Sequence, residues 1–339
     1  MTGRRGTGRR ELDEDDVRTR PSKGSRPRTR ERPEHADALD GVVVAVDRGR
    51  YTCRRATDEH SGTLIEAIRG GDVRRVPVVV GDRVALVGDT SGRPGALARI
   101  VRRAERTSVL RRTADDTDPT ERPIVANADQ LVIVAALADP PSRPGLIDRC
   151  LVAAYDGGLA PVLCLTKADL ADDGALRDLY QPLGVTIITS RPDVEPAALR
   201  ELIIGRVSVL FGHSGVGKST LVNRLVPDAA QQIGEVNAVT GRGRHTSSAA
   251  VALPVPGGGW VVDTPGVRSF GLGAVSPARV LAAFAELAEA SANCPPGCTH
   301  AVGLPDCALD DAVRDGLAEP ARLASLRRLL AARGDRRGA

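Results

Sequence analysis

Aromatic residues are scarce in this chain: three Phe, three Tyr and one Trp amount to 2% of 339 residues. Recognition that relies on exposed rings stacking against bases is poorly served, and Tyr51 is the one aromatic residue between positions 39 and 108. A run of about 18 uncharged apolar residues, the length a membrane-crossing helix needs, is also missing. Arg pairs and a Glu/Asp cluster stand at the start, where an export signal would carry an apolar stretch, so the sequence reads as soluble, cytoplasmic and unattached to membranes. The six cysteines do not form the framework of a secreted protein: Cys53, Cys150 and Cys164 are scattered, whereas Cys294, Cys298 and Cys307 crowd beside His300. Lysine is nearly absent. Of 47 basic residues three are Lys, at positions 23, 167 and 218, and two of these fall inside motifs where a compact ammonium does what a planar guanidinium cannot.

What is present divides the chain into four parts. Residues 1–38 hold ten Arg, one Lys and eight acids with little apolar content, so they cannot bury enough surface to offset their ordering entropy and are expected to be a disordered tail. Such a tail either promotes solubility or lies along nucleic acid through phosphate contacts. Residues 39–108 carry short β-branched runs, Gly41–Val46, Gly81–Val87 and Ala96–Val101, separated by Gly and Asp; this spacing suggests a small all-β barrel of the oligonucleotide-binding type. Over residues 109–275 buried-strand runs (131–136, 161–165, 185–189, 207–211, 249–253 and 260–262) alternate with helical stretches (146–155, 175–180, 196–203 and 219–225), the pattern of a doubly wound α/β sheet. Residues 276–339 are helical again. Ser276 and Pro277 open a helix on which Leu281, Phe284 and Leu287 share a face. A last helix from Pro320 sets four leucines against Arg327 and Arg328, which reads as a packed helix with a solvated face.

Gly212-His213-Ser214-Gly215-Val216-Gly217-Lys218-Ser219, followed by Thr220, fits the phosphate-loop pattern and has its context, a buried strand before and an amphipathic helix after. Its glycines let backbone N–H groups curl around a β-phosphate at a helix N-terminus, Lys218 would bridge the β- and γ-phosphates, and the Ser219 hydroxyl would ligate Mg²⁺. Thr166-Lys167-Ala168-Asp169, at the end of an apolar strand, resembles the guanine-reading element of GTPases. Its carboxylate can accept from both N1–H and the 2-amino group of guanine, where adenine offers only a lone pair and a C–H. Thr189-Ser190 follows the next strand, and Ser190 is the candidate for the base-side loop. Asp263-Thr264-Pro265-Gly266 fits the element whose carboxylate holds Mg²⁺ through water while the Gly266 amide senses the γ-phosphate. Between the phosphate motifs, the Gly/Arg stretch 241–248 contains Thr246 (or Ser247) as the expected metal ligand of a first switch, and His245, the candidate for orienting the attacking water unless a partner that remodels the switches does so. Val267 occupies the place where Ras-like enzymes carry Gln for that task, so slow intrinsic turnover is expected. Cys294, Cys298, His300 and Cys307 form a Cys₃His set with no spare position, pointing to one structural zinc ion rather than to free thiols beside an incidental histidine.

The order of these motifs, guanine loop before phosphate loop, describes a circularly permuted GTPase. With a barrel in front and a Cys-Cys-His-Cys module behind, residues 39–339 closely resemble the small-ribosomal-subunit GTPase A family (RsgA, also called YjeQ). The likeness rests on Gly-His-Ser-Gly-Val-Gly-Lys-Ser, Gly-Arg-His-Thr, Asp-Thr-Pro-Gly-Val-Arg-Ser-Phe-Gly and Ala126-Asn127-Ala128-Asp129-Gln130. It implies a P-loop GTPase with an OB-type barrel and a helical zinc-binding module, binding GTP/GDP, Mg²⁺ and Zn²⁺. It further implies hydrolysis stimulated by the 30S ribosomal subunit late in its maturation, 16S rRNA contacts by barrel and zinc module, and action as a monomer. Thr166 stands where Asn is commoner, and the zinc spacing departs from the commonest pattern by one residue at each gap. Two other functions remain open: an RNA-binding protein in which nucleotide is mainly structural, and a GTPase serving the large subunit.

Overall fold

The computed structural model describes residues 35–58, 62–115, 118–239, 250–264 and 276–334. The expected tail over residues 1–38 therefore lies almost wholly outside the described residues. Asp37–Ala339 is one compact unit.

Its first five strands are β1 (Leu39–Asp47), β2 (Arg50–Arg55), β3 (Ile65–Arg69), β4 (Arg83–Gly88) and β5 (Ala98–Arg103). They pair in the order β1-β2-β3-β5-β4, and β4 closes back on β1; β3 and β5 run parallel and the other pairs antiparallel. This is the five-stranded, Greek-key closure of an OB-type barrel. Alternation along the strands sends Val43, Tyr51, Cys53, Ile65, Ala67, Leu86, Ala98 and Ile100 into its core. Arg48 and Gly49 both have positive φ, 43° and 87°, which gives the β1–β2 hairpin the twist that a two-residue turn needs. A two-stranded hairpin, β6 (Val109–Asp115) and β7 (Asp118–Ala126), follows the barrel.

Six further strands form the α/β part: β8 (Gln130–Ala136), β9 (Ala160–Thr166), β10 (Thr186–Thr189), β11 (Val207–Phe211), β12 (Val251–Pro254) and β13 (Trp260–Asp263). Their order is β10-β9-β8-β11-β13-β12, parallel throughout except for β12. The helices are α1 (Pro144–Gly157), α2 (Gly174–Tyr180), α3 (Ala197–Ile203), α4 (Lys218–Leu225) and α5 (Ala229–Val239). Because successive strand residues face opposite ways, Leu131, Ile133, Leu163, Leu165, Val209 and Phe211 pack with α1 on one side. Val132, Val134, Cys164, Leu210 and Val261 pack with α3 and α4 on the other. The sheet is doubly wound, as its unbroken apolar strands require.

Barrel and α/β layer share backbone pairing. Strand β1 shifts register at Val44, and beyond this bulge Ala45 pairs antiparallel with Val251 of β12, making one eleven-stranded sheet. At the same seam Gly81, with φ 87°, lies so close to β7 that a Cβ there would stand 2.0 Å from the Ala126 carbonyl oxygen. Asn127 then clamps the joint, its Nδ2 donating to the Gly81 carbonyl at 2.8 Å and its Oδ1 accepting from the Thr107 amide at 2.9 Å. Beside it the fully buried Asp82 accepts from Arg106 through both carboxylate oxygens, at 2.7 and 2.8 Å.

The C-terminal part consists of α6 (Pro277–Ala282), α7 (Ala285–Ser291), α8 (Ala308–Arg314) and α9 (Pro320–Gly334). The single helix expected after Ser276 is broken at Phe284, which has φ −118° and caps α7 while its ring and Leu287 stay in the core. The solvated arginine face expected on α9 is also corrected. Arg327 and Arg328 are drawn inward by Asp310 and by the buried Asp148, the latter on α1.

Candidate functional site

Parallel pairing puts the C-terminal ends of β8, β9, β10, β11 and β13 on one edge of the sheet, with Leu210 level with Asp263, Phe211 with Ile133, Ala136 with Thr166 and Leu165 with Thr189. Doubly wound sheets bind their ligands at this edge. The phosphate-loop residues leave β11 and enter α4 there. At Gly212 a Cβ would meet the Val134 carbonyl oxygen at 2.6 Å, so the strand can turn there only without a side chain. Gly215 and Gly217 have φ of 84° and 90°, the left-handed region open to glycine, and α4 begins at Lys218. Val216 is buried and anchors the loop, while Ser214, Gly215, Ser219 and Thr220 remain exposed.

The guanine-type loop touches this phosphate loop directly. Thr166, buried at the end of β9, donates from Oγ1 to the Val216 carbonyl at 2.6 Å. Lys167 takes a left-handed conformation, φ 58°, and its ammonium donates to the Asp139 carbonyl in the segment after β8. Ser190 brackets the loop from β10: its amide donates to the Leu165 carbonyl at 2.7 Å and its own carbonyl accepts from the Ala168 amide at 3.4 Å. Asp169 is exposed in the same turn. At the end of β13, Asp263 forms an ion pair with Lys218, and Thr264 ties the strand to β11 by donating to the Leu210 carbonyl at 2.9 Å. A cation suited to phosphate and a carboxylate suited to a metal thus neutralise each other at the strand ends. The donor set fits a nucleoside triphosphate with Mg²⁺: loop amides at a helix start, an ammonium, a hydroxyl and a carboxylate. His245, Thr246, Gly266 and Val267 lie outside the described residues. A cleft of about 630 Å³ bordered by Asp178, Glu286, Glu319 and Arg322 contains none of the motif residues.

The second cluster lies between α7 and α8. The ligand atoms of Cys294, Cys298, His300 and Cys307 all fall within 4.8 Å of one another. His300 Nδ1 stands 3.7, 3.6 and 3.9 Å from the three sulfurs. A tetrahedral zinc with its usual bond lengths would set nitrogen and sulfur about 3.6 Å apart, so the four residues fit that ion. Burial, then the neighbouring Arg327, holds the His300 pKa below its ordinary value and favours the neutral, ligating imidazole. Sequence reasoning missed Arg327. Its Nε donates to the His300 carbonyl at 2.9 Å, its guanidinium holds Asp310 at 2.7 and 2.9 Å, and its Nη2 lies 4.0 Å from Cys307 Sγ.

Comparison with known proteins agrees with this geometry. The family profile described as RsgA GTPase matches residues 103–273. Small ribosomal subunit biogenesis GTPase RsgA of Pseudomonas aeruginosa (strain LESB58) is 39% identical over 263 residues, covering 75% of each chain. The protein of the same name from Azotobacter vinelandii is 38% identical over 263 residues, covering 75% of this chain and 74% of its own. Among solved structures, YjeQ from Thermotoga maritima aligns with a TM-score of 0.63 at 26% identity, over 87% of this chain and 98% of that one. YloQ, described as a circularly permuted GTPase, aligns with a TM-score of 0.63 at 24% identity, over 90% and 98%. With guanine loop, phosphate loop and Asp263 gathered at one sheet edge in permuted order, the chain belongs to the RsgA GTPase family.

Proposed function

We propose that this GTPase hydrolyses GTP under stimulation by the 30S ribosomal subunit, late in small-subunit maturation, and contacts 16S rRNA through its barrel and zinc module. The observation that carries the reading is the 2.6 Å bond from Thr166 to the Val216 carbonyl, which joins a base-reading loop to a phosphate loop. The printed name of the relatives supplies the ribosomal direction.

In this reading Asp169 selects guanine by accepting two hydrogen bonds, and a base lacking those donors would leave its carboxylate poorly paired. Lys167 lays its stem along the nucleoside, and Ser190 holds that loop in place. Lys218 releases Asp263 to hold β- and γ-phosphate oxygens, and the amides of residues 214–218 take the charge that develops on the leaving diphosphate. Ser219, Thr246 and, through water, Asp263 would hold magnesium, which supplies neutralisation of the phosphate charge. Water attacks the γ-phosphorus as its bond to the bridging oxygen breaks, giving GDP and phosphate. His245 is the candidate that orients this water, since the isopropyl group of Val267 cannot. Cys294, Cys298, His300 and Cys307 hold zinc, which supplies a fixed cross-link to a loop with little apolar content of its own.

Multiple-turnover phosphate release titrated with purified 30S particles tests the proposal. Acceleration by 30S and not by 50S particles is expected. Val267 favours a second reading, a GTP-regulated RNA-binding protein with little turnover. Unchanged turnover in the presence of 30S would select that reading, and acceleration by 50S would select a large-subunit role.

A further inference from the structure

Arg327 and Arg328 are neighbours on α9 with different errands. Arg328 reaches the GTPase layer: its Nε donates to both oxygens of the buried Asp148 at 3.2 and 3.3 Å, and its guanidinium lies over the Tyr180 ring at 5.4 Å. Arg327 faces the Cys₃His cluster with its side chain 13% exposed, and every part of its fork has a partner there. The bond to the His300 carbonyl is the informative one. His300 has φ 57°, a backbone conformation that a non-glycine residue rarely takes, and its Nδ1 faces the three sulfurs. Three thiolates and an imidazole around a divalent ion carry one net negative charge, and Arg327 brings a guanidinium to 4.0 Å from the Cys307 sulfur.

We propose that Arg327 is a positioning residue of the metal site: it holds His300 in its ligating backbone conformation, offsets the thiolate charge at Cys307, and thereby sets how tightly zinc is retained. Asp310 orients the fork that does this, gripping two of its nitrogens from the first turn of α8. Partners that orient ligands in this way commonly govern metal affinity by about 10- to 100-fold. The inference rests on the cluster holding zinc.

The test uses the full chain purified with its metal. Zinc content is measured first, then the rate of release into excess chromogenic chelator, for the wild type and for Arg327→Met, Arg327→Lys and Arg328→Met. Arg327→Met should release zinc at least about tenfold faster. Arg327→Lys, which keeps the charge and loses the fork, should fall between. Arg328→Met removes an anchor of the same helix that touches no ligand and should stay near the wild type. In cobalt-loaded protein, Arg327→Met should shift the thiolate-to-metal absorption band while GDP affinity remains within about twofold of the wild type, since α4 and the guanine loop are untouched. Release at the wild-type rate from Arg327→Met, or equal acceleration by Arg328→Met, overturns the assignment and leaves zinc binding standing. A wild-type chain that carries no zinc overturns both.

Discussion

In the proposed reading two side chains govern nucleotide recognition, and each makes a measurable claim. Thr166→Val keeps the volume and removes the donor to the Val216 carbonyl, leaving a buried acceptor short of a partner at a cost of about 1–2 kcal/mol. Fluorescent GDP titration should show affinity falling about 5- to 30-fold; an unchanged value would mean the two loops are not held by this bond. Asp169→Asn exchanges an acceptor for a donor, so competition with xanthosine diphosphate, whose C2 carbonyl accepts, should overtake GDP and reverse the preference by about 100-fold or more. Most of these residues were legible because their chemistry is local: four or eight neighbours in sequence suffice to recognise a phosphate loop. Arg327 was not, because an arginine on a helix looks the same whether it meets water or, as here, the His300 carbonyl 27 positions away.

At the level of strands and helices, legibility followed burial on both faces. Strands β8 and β9 carry continuous apolar runs, and β11 one interrupted by Ser208, so they announce themselves, as does α1 with Ile147, Cys150, Leu151 and Ala154 buried. Strands β2, β6 and β7 do not, because Arg50, Arg54, Arg55, Arg111, Arg112 and Arg122 interrupt their alternation and only their cross-strand partners make them strands. The break at Phe284 escaped for a related reason: an apolar spacing of three suits one helix or two, and the chain bends so that Phe284 can lie beneath Arg322. The seam element is easier to test. Gly81→Ala meets a backbone oxygen at 2.0 Å and must hold φ 87°, so it should cost about 2–4 kcal/mol and lower the melting temperature by several degrees. The α7–α9 contact is sensitive to acid. Hydrogen bonding from Arg322 holds the Glu286 pKa below its ordinary value, so this contribution is present above about pH 4 and is lost as pH falls through the depressed value. Urea midpoints compared at pH 5 and pH 3.5 should fall less for Glu286→Gln than for the wild type.

Permutation of the chain leaves the nucleotide edge intact and relocates its neighbours. Strand β12, next in the described chain after the stretch that holds His245 and Thr246, is sandwiched between β13 and a strand of the barrel. That arrangement was not legible, because the Ala45–Val251 pairing links positions some two hundred residues apart and depends on a bulge at Val44. The single tryptophan reports on it. Trp260 is 5% exposed at the start of β13, with the Arg54 guanidinium of the barrel over its ring at 5.9 Å. Its emission should redden in one step as barrel and nucleotide layer unfold together, and two separated steps would contradict the shared sheet. The same sharing warns against trimming. A version shortened to begin at residue 109 would leave β12 without its barrel neighbour at Val251, an open edge that can template another copy of itself. Such a shortened version should self-associate in sedimentation at concentrations where the full chain does not, a second consequence of the seam at Ala45 and Val251.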